Sequence, residues 1–355
     1  MSKTEEVSGA AIAAESTLMF QEAAAASAVV EHQFEANREK IIAAVEQIHA
    51  FGPRALVTMA RGSSDHAATY AKYLAETRLG LLTSSAAPSV SSVYHAKQNL
   101  DKTLYLAISQ SGKSPDLLAG VETAKQSGAL TVALVNVEDS PLAAMADIVL
   151  PLHAGAEKSV AATKSYIATL AGILNLIATY TGDTELLNAR DQLPAQLARA
   201  WGSDWTAAGV DALREARNLF VIGRGYGFGV AQEAALKFKE TCGLHAEAFS
   251  AAEVKHGPMA IVNAGFPVLV FAQQDETRSG TDALVSDFVA RDARVLYAAE
   301  NAPSGQALPV VEGAHAATAP ILQVQSFYRL ANALSVARGY NPDTPPHLNK
   351  VTETL

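Results

Sequence analysis

Thr103-Leu104-Tyr105-Leu106-Ala107-Ile108-Ser109-Gln110-Ser111-Gly112-Lys113-Ser114-Pro115-Asp116 changes character twice. The first six residues are apolar or β-favouring and read as a short buried strand. The next four, Ser109-Gln110-Ser111-Gly112, form a polar turn with a glycine. Ser114-Pro115-Asp116 then opens a helix, with serine at the N-cap, proline in the first turn and an aspartate that the helix dipole favours. Gly128 ends that helix. The unit is strand, polar turn, helix. Unpaired N–H groups at such a helix start, flanked by three hydroxyls and an amide, suit an anion such as phosphate. The stretch lacks the Walker spacing, so a nucleoside triphosphate is not expected. An ordinary capped turn would use the same residue types.

Outward from it the pattern repeats. Strands are expected at 55–59, 131–135 and 148–150, with helices to about 79 and from about 160. Beyond Trp205 strands fall at 219–222, 267–272 and 294–298, with helices at 229–242, 281–291 and 320–338. Arg61-Gly62 and Arg224-Gly225 each follow a strand and precede a helix, 163 residues apart, which fits a duplicated domain. Strand–helix alternation implies an α/β fold with mainly parallel sheets flanked by helices, and ligands at the carboxyl ends of the strands. The expected organisation is a helical lead-in over 1–50, a first subdomain over 51–195 that binds the ligand, a second over 205–340, and a tail over 341–355. The second half's counterpart of the serine turn, Gln273-Gln274-Asp275-Glu276, is acidic, so one half should bind and the other support.

Of the 355 residues, 49% are apolar and 18% charged, enough for a large core. The net charge of −9 argues against a nucleic-acid partner. Residues 1–15 lack the basic-then-apolar order of a signal peptide. The apolar stretch 161–180 carries Thr163, Lys164, Ser165, Thr169, Asn175 and Thr179 and reads as a core helix rather than a membrane span. A cytoplasmic location is expected. The one cysteine, Cys242, cannot form a disulfide within the chain and sits in an apolar helical setting that suits a buried structural thiol.

Glu233, Lys237 and Glu240 share one helix face. Two readings stand: a solvated salt-bridge ladder, or a carboxylate–lysine pair bordering a cleft, where Glu240 or Glu233 serves as a general base. His245-Ala246-Glu247 and Glu253-Val254-Lys255-His256-Gly257-Pro258 form a polar group in an expected loop, and His256 could move protons near neutral pH. A metal held by His245, Glu247 and His256 has no recognised spacing and is not expected. The tail Asn341-Pro342-Asp343-Thr344-Pro345-Pro346-His347-Leu348-Asn349-Lys350 would be frayed, or would fold over the site with Lys350 as a lid or imine former.

Several of these segments, in this order, resemble the two-subdomain sugar isomerase (SIS) region of the glutamine–fructose-6-phosphate aminotransferases. They are Arg61–Ser64, Ser109–Gly112, Val160–Lys164, Leu236–Glu240, His245–Glu247, Glu253–Pro258, Asn341–Asp343 and Leu348–Lys350, and the likeness runs from about Leu18 to the end of the chain. The resemblance implies two tandem SIS subdomains. It implies that Ser64, Ser109, Gln110, Ser111 and Ser114 hold a sugar phosphate, Ser114 standing for the usual threonine, and that Val160 offers backbone contacts. Glu240 would move a proton between C1 and C2 with Lys237 beside it. His256 would assist ring opening from the neighbouring subunit of a homodimer. Lys350 would meet the carbonyl as an imine or a closing lid, with Asn349 replacing a small residue there. No cofactor and no metal is implied.

Because the likeness begins near Leu18 and the chain opens Met1-Ser2, no glutamine-hydrolysing domain is expected. The chain then looks like the SIS-type glucosamine-6-phosphate deaminases, which release fructose 6-phosphate and ammonia. Another phosphosugar isomerase, a galactosamine-6-phosphate deaminase, a deglycase for sugar–amine phosphates and a non-catalytic phosphosugar sensor remain alternatives.

Overall fold

The structure is a computed structural model and describes residues 12–350. The expectation about a signal peptide, for residues 1–11, and the last part of the tail, 351–355, lie outside the described residues. Three helices lead in: α1 (Leu18–Ala24), α2 (Ala26–Ala36) and α3 (Arg38–Phe51). The first α/β unit follows as β1 (Ala55–Met59), α4 (Ser63–Arg78), β2 (Leu82–Ser85), α5 (Pro88–Ser92), β3 (Thr103–Ser109), α6 (Pro115–Gln126), β4 (Leu130–Val135), α7 (Pro141–Met145), β5 (Ile148–Pro151) and α8 (Lys164–Thr181). Two connecting helices, α9 (Thr184–Gly202) and α10 (Thr206–Leu213), lead to the second unit. That unit comprises β6 (Asn218–Gly223), α11 (Phe228–Cys242), β7 (His245–Ser250), β8 (Pro267–Phe271), α12 (Arg278–Val289), β9 (Arg294–Ala298), β10 (Gln306–Leu308) and α13 (Ala319–Ala337).

Each unit holds a five-stranded sheet, and every strand pairing is parallel. The order is β2-β1-β3-β4-β5 in the first and β10-β9-β8-β6-β7 in the second. Counted from its own first strand, each sheet runs 2-1-3-4-5, so the two halves share one topology. In that order the connections diverge between strands one and three, leaving a crevice at their carboxyl ends. In the first sheet the crevice lies between the Arg61-Gly62 turn and the Ser109–Gly112 turn.

The central strands are buried on both faces: every residue of β3 and of β8 is buried. One large core spans both halves, joining Leu106 and Leu134 of the first sheet to Leu269 of the second through Leu174 of α8, Phe238 of α11 and Phe327 of α13. The α8 stretch is buried over 164–178, as its apolar sequence predicts for a core helix. Cys242 is fully buried and offers its thiol to the Ala331 carbonyl, and burial pushes that thiol's pKa up to about 12.

The helices α4 and α11 cross at close range. A β-carbon at Gly229 would lie 2.4 Å from the His66 carbonyl oxygen, so only glycine permits this approach. The crossing brings the amino-terminal turn of α4 against the polar face of α11.

Three differences from the sequence reading concern edges and joints. The 245–247 segment, expected in a loop, is the start of β7, paired with β6 in register Asn218↔His245. It carries no β-branched residue, and its pairing with β6 rather than intrinsic preference makes it a strand. The strand β2, Leu-Thr-Ser-Ser, is likewise a polar edge strand. The lead-in breaks at Ala25 and Asn37 into separate helices instead of running on.

Candidate active site

The Ser109–Ser114 segment forms the turn that its sequence predicts. Ser109 ends β3 and is buried, and its hydroxyl oxygen accepts the Gly112 N–H at 3.1 Å. Gly112 has φ +64°, and a β-carbon there would sit 2.2 Å from Ser140 Oγ, so the turn packs directly on the start of α7. Ser114 occupies the N-cap position of α6, with Pro115 behind it, but its side chain makes no capping bond. The side chains of Ser64, Gln110, Ser111 and Ser114 are half-buried and hydrogen-bond to nothing among the described residues. They are available donors around the start of α6.

Arg61 fixes one flank of this cradle. Its guanidinium donates to Asp116, through Nε at 2.9 Å and from a terminal nitrogen at 2.8 Å. Asp116 is fully buried in the first turn of α6. The turn after β1 is thereby tied to the helix that carries the cradle. On the other flank Asn136 links Gln110 to the segment after β5: its N–H donates to the Gln110 carbonyl at 3.2 Å, and its side chain bonds Gly155 and Ala154, both at 2.8 Å.

Two residues beyond Arg61, Ser63 meets the charged group on α11. Glu233 and Lys237 are fully buried, which excludes the solvated ladder. Glu233 accepts from the Ser63 hydroxyl at 3.1 Å and from the Tyr328 hydroxyl at 3.1 Å, and lies 3.0 Å from His66 Nδ1 and 3.2 Å from Lys237 Nζ. Lys237 Nζ also donates to Ser63 Oγ at 3.1 Å and to Glu240 Oε2 at 2.5 Å. Burial works against both charges, but their mutual attraction outweighs it. Lys237 is held above the ordinary lysine range, chiefly by Glu233 and then Glu240, and Glu233 below the ordinary glutamate range by Lys237 and His66. Glu240 keeps 23% of its side chain exposed, so the outer member of the triad alone can reach a ligand.

The segment 152–163 closes the far side. Glu157, buried, accepts from the Thr163 and Ser165 N–H groups at 3.0 and 3.2 Å and from the Ser165 hydroxyl at 2.6 Å, capping α8. Lys350 docks on this segment, donating to Glu157 Oε2 at 3.1 Å and to the Ser159 carbonyl at 2.8 Å. The Val160 N–H donates to the Asp343 carbonyl at 3.2 Å. Over its described part the tail is therefore folded down rather than frayed.

The structure thus sets Ser64, Ser109, Gln110, Ser111 and Ser114 on or beside the two turns that the Arg61–Asp116 bond joins, ties Lys237 and Glu240 to the first of them through Ser63, and sets Val160 and Lys350 at the 152–163 segment that Asn136 holds to Gln110. It does not bring His256 into this group. His256 is exposed at the end of a short turn after β7 and hydrogen-bonds to none of these residues within one chain. His245 and Glu247 are both exposed on β7, and among the described residues no three His, Cys, Asp or Glu side chains are placed to hold a metal ion. Ser63, His66, Tyr328, Arg61 and Glu157 were not singled out from sequence as site residues. Only Glu157, an acid just ahead of a helix start, left a readable sign.

In the second unit the corresponding crevice is filled. Gln273 is buried there and donates to the Arg224 carbonyl and to Asp275, both at 2.9 Å. Asp275 in turn accepts the Thr277 N–H at 2.8 Å. The acidic turn spends acceptors on its own side chains and backbone.

Two parallel 2-1-3-4-5 sheets with a serine-lined turn at one switch point define the class. The SIS domain model matches residues 52–178 and 212–305, and the chain belongs to the SIS domain family. It is 34% identical over 304 residues to the glutamine–fructose-6-phosphate aminotransferase [isomerizing] of Legionella pneumophila (strain Lens), covering 82% of this chain and 50% of that protein. The chain spans about half the length of the curated relatives it matches. A crystal structure from Silicibacter pomeroyi DSS-3, assigned as a phosphosugar isomerase, superposes with a TM-score of 0.88 at 41% identity, covering 92% of this chain and 100% of that one. The glucosamine-6-phosphate deaminase of Thermotoga maritima shares the fold, with a TM-score of 0.75 at 22% identity over 95% of this chain and all of that one. No helix among the described residues is long and apolar enough to cross a membrane.

Proposed function

We propose that the protein is an SIS-type phosphosugar isomerase acting as an amino-sugar-phosphate deaminase, converting glucosamine 6-phosphate and water to fructose 6-phosphate and ammonia. The observation that carries this reading is the short connection between the serine turn and a partly exposed carboxylate: Arg61 bonds Asp116 at the start of α6, and two residues along the chain Ser63 bonds Lys237, which bonds Glu240. A neutral cradle of Ser64, Ser109, Gln110, Ser111 and Ser114 would anchor the phosphate and orient the open-chain sugar. Glu240, as carboxylate, would take the C2 proton and return it to C1. The aldose carrying a C2 amine thereby becomes an imine at C2, water adds there, and ammonia leaves. The buried ammonium of Lys237 would stabilise the negative charge that develops next to Glu240.

His256 would reach the site from the partner subunit of a homodimer and assist ring opening, a role that its exposed position within one chain leaves open. Lys350 is engaged by Glu157 and the Ser159 carbonyl, an arrangement that favours the closing lid over the imine former. The names of the relatives support phosphosugar chemistry, and the serine cradle supports the phosphate.

The test is release of ammonia from glucosamine 6-phosphate by the purified protein, with fructose 6-phosphate measured in the same reaction. Equal amounts of both are expected. A protein that binds the phosphosugar and releases no ammonia would overturn the deaminase reading and direct attention to other amino sugars, sugar–amine conjugates or a sensor.

A further inference from the structure

The stretch 158–160, which presents Val160, is held from outside its own sheet. Its backbone N–H groups at 158, 159 and 160 point at α1 and the tail. The Glu22 carboxylate of α1 accepts the Lys158 N–H at 2.5 Å with one oxygen and the Ser159 N–H at 3.2 Å with the other. Asp343 accepts the Leu18 and Met19 N–H groups with its two oxygens, each at 2.8 Å, and caps the start of α1. Its carbonyl takes the Val160 N–H. Ser159 is fully buried and Glu22 is 9% exposed, so water offers little substitute for these bonds.

We propose that Glu22 is a positioning residue: α1 serves as a fixed post from which both the Val160 segment and the closing tail are hung, and Glu22 sets the height of the segment over the bound sugar. This rests on the phosphosugar reading above. Two N–H donors need two acceptor oxygens on one side chain, which a carboxylate supplies and an amide does not. Burial raises the Glu22 pKa above its ordinary value; the bonded N–H groups of Lys158 and Ser159 pull it back, Glu157 adds to the rise and Lys164 opposes it. The other charges close by are the Lys158 side chain, Lys350 on Glu157, and Asp343 at the start of α1. Glu22 therefore takes up a proton at higher pH than an ordinary glutamate. Once protonated, one oxygen carries a proton and no longer accepts freely. Substrate binding should weaken as pH falls through that region.

Glu22→Gln in the full chain tests this. With glucosamine 6-phosphate we expect KM to rise about tenfold, the loss of one charge-assisted hydrogen bond, with kcat nearly unchanged. The acid-side rise of KM expected of the native protein should be absent in the variant. Amide hydrogen exchange at 158–160 should speed up in the variant without any substrate. An unchanged KM, or an acid-side rise that persists in Glu22→Gln, overturns the proposal. If neither protein turns over the sugar, the functional reading has failed instead, and exchange at 158–160 decides alone: unchanged protection overturns the positioning role. Should Glu22→Gln melt at assay temperature, Asp343→Asn loosens the same post from the other side. It should raise KM in the same direction, and no change there would also sink the idea.

Discussion

Replacing Glu233 by alanine should cost far more than losing a surface ion pair. Its carboxylate is fully buried and takes hydrogen bonds or ion pairs from four side chains: Ser63 and His66 on α4, Lys237 on its own helix, and Tyr328 on α13. Removing it leaves the Lys237 ammonium, 1% exposed, with Glu240 as its remaining counter-charge. Breaking a buried pair from one side costs about 3–5 kcal/mol, against about 0–1 kcal/mol for an exposed pair. With an unfolding entropy of about 2.1 cal/mol/K per residue over 355 residues, that cost lowers the melting temperature by roughly 4–7 °C. The assay is thermal unfolding followed by circular dichroism, on Glu233→Ala, Lys237→Met and the double variant. The double variant should lose less than the sum of the singles by at least about 1 kcal/mol, because the unpaired ammonium is gone. The pH dependence has a definite sign. Glu233 is held below its ordinary value of 4.5, so its contribution is present above that pH and lost as pH falls through the lower folded-state value. The gap between native and Glu233→Ala melting temperatures should therefore narrow in acid. Additive single costs, or a Glu233→Ala shift under about 1 °C, would refute the buried-pair reasoning.

Three further outcomes are expected. Glu240→Gln should abolish ammonia release while phosphosugar binding by calorimetry stays near native; near-native turnover would remove Glu240 as the base. Gly112→Ala should destabilise by at least about 1 kcal/mol and raise KM, because it forces a side chain into φ +64° against Ser140. A native melting temperature would show that the turn has slack. Mixing His256→Ala with Glu240→Gln subunits should restore about a quarter of native activity, since half of randomly formed dimers hold one intact site of two. No restoration would place His256 outside the partner's site.

How much of this could be read from sequence depends on how local each signal is. The serine turn after β3 and the Arg-Gly turns carry their geometry in adjacent residues, and the structure places them at strand ends as expected. The shared face of Glu233, Lys237 and Glu240 follows from helical spacing, but spacing alone leaves solvent and core equally open. What decided between them was α4, brought close by Gly229, and α13, which supplies Tyr328. Edge strands escaped because β2 and β7 are polar and become strands through their neighbour β1 or β6. Glu22 gave no sign at all: it is one acid in an alanine-rich helix, and its partners lie 136 and 137 residues away. Glu157 and Lys350 are 193 residues apart, and no pattern in either neighbourhood announces the other.

The Asp343 cap on α1 joins residues 325 positions apart in the chain. During synthesis at about 5–20 residues per second, roughly 16–65 s separate the appearance of Leu18 from that of Asp343. Throughout that interval the first helix has no Asp343 to cap it, and the Val160 segment lacks its bond to the tail. A nascent chain can thus assemble both sheets and still have an unfinished site. The site should therefore be completed late and abruptly, only once Asp343 has been made and can reach α1.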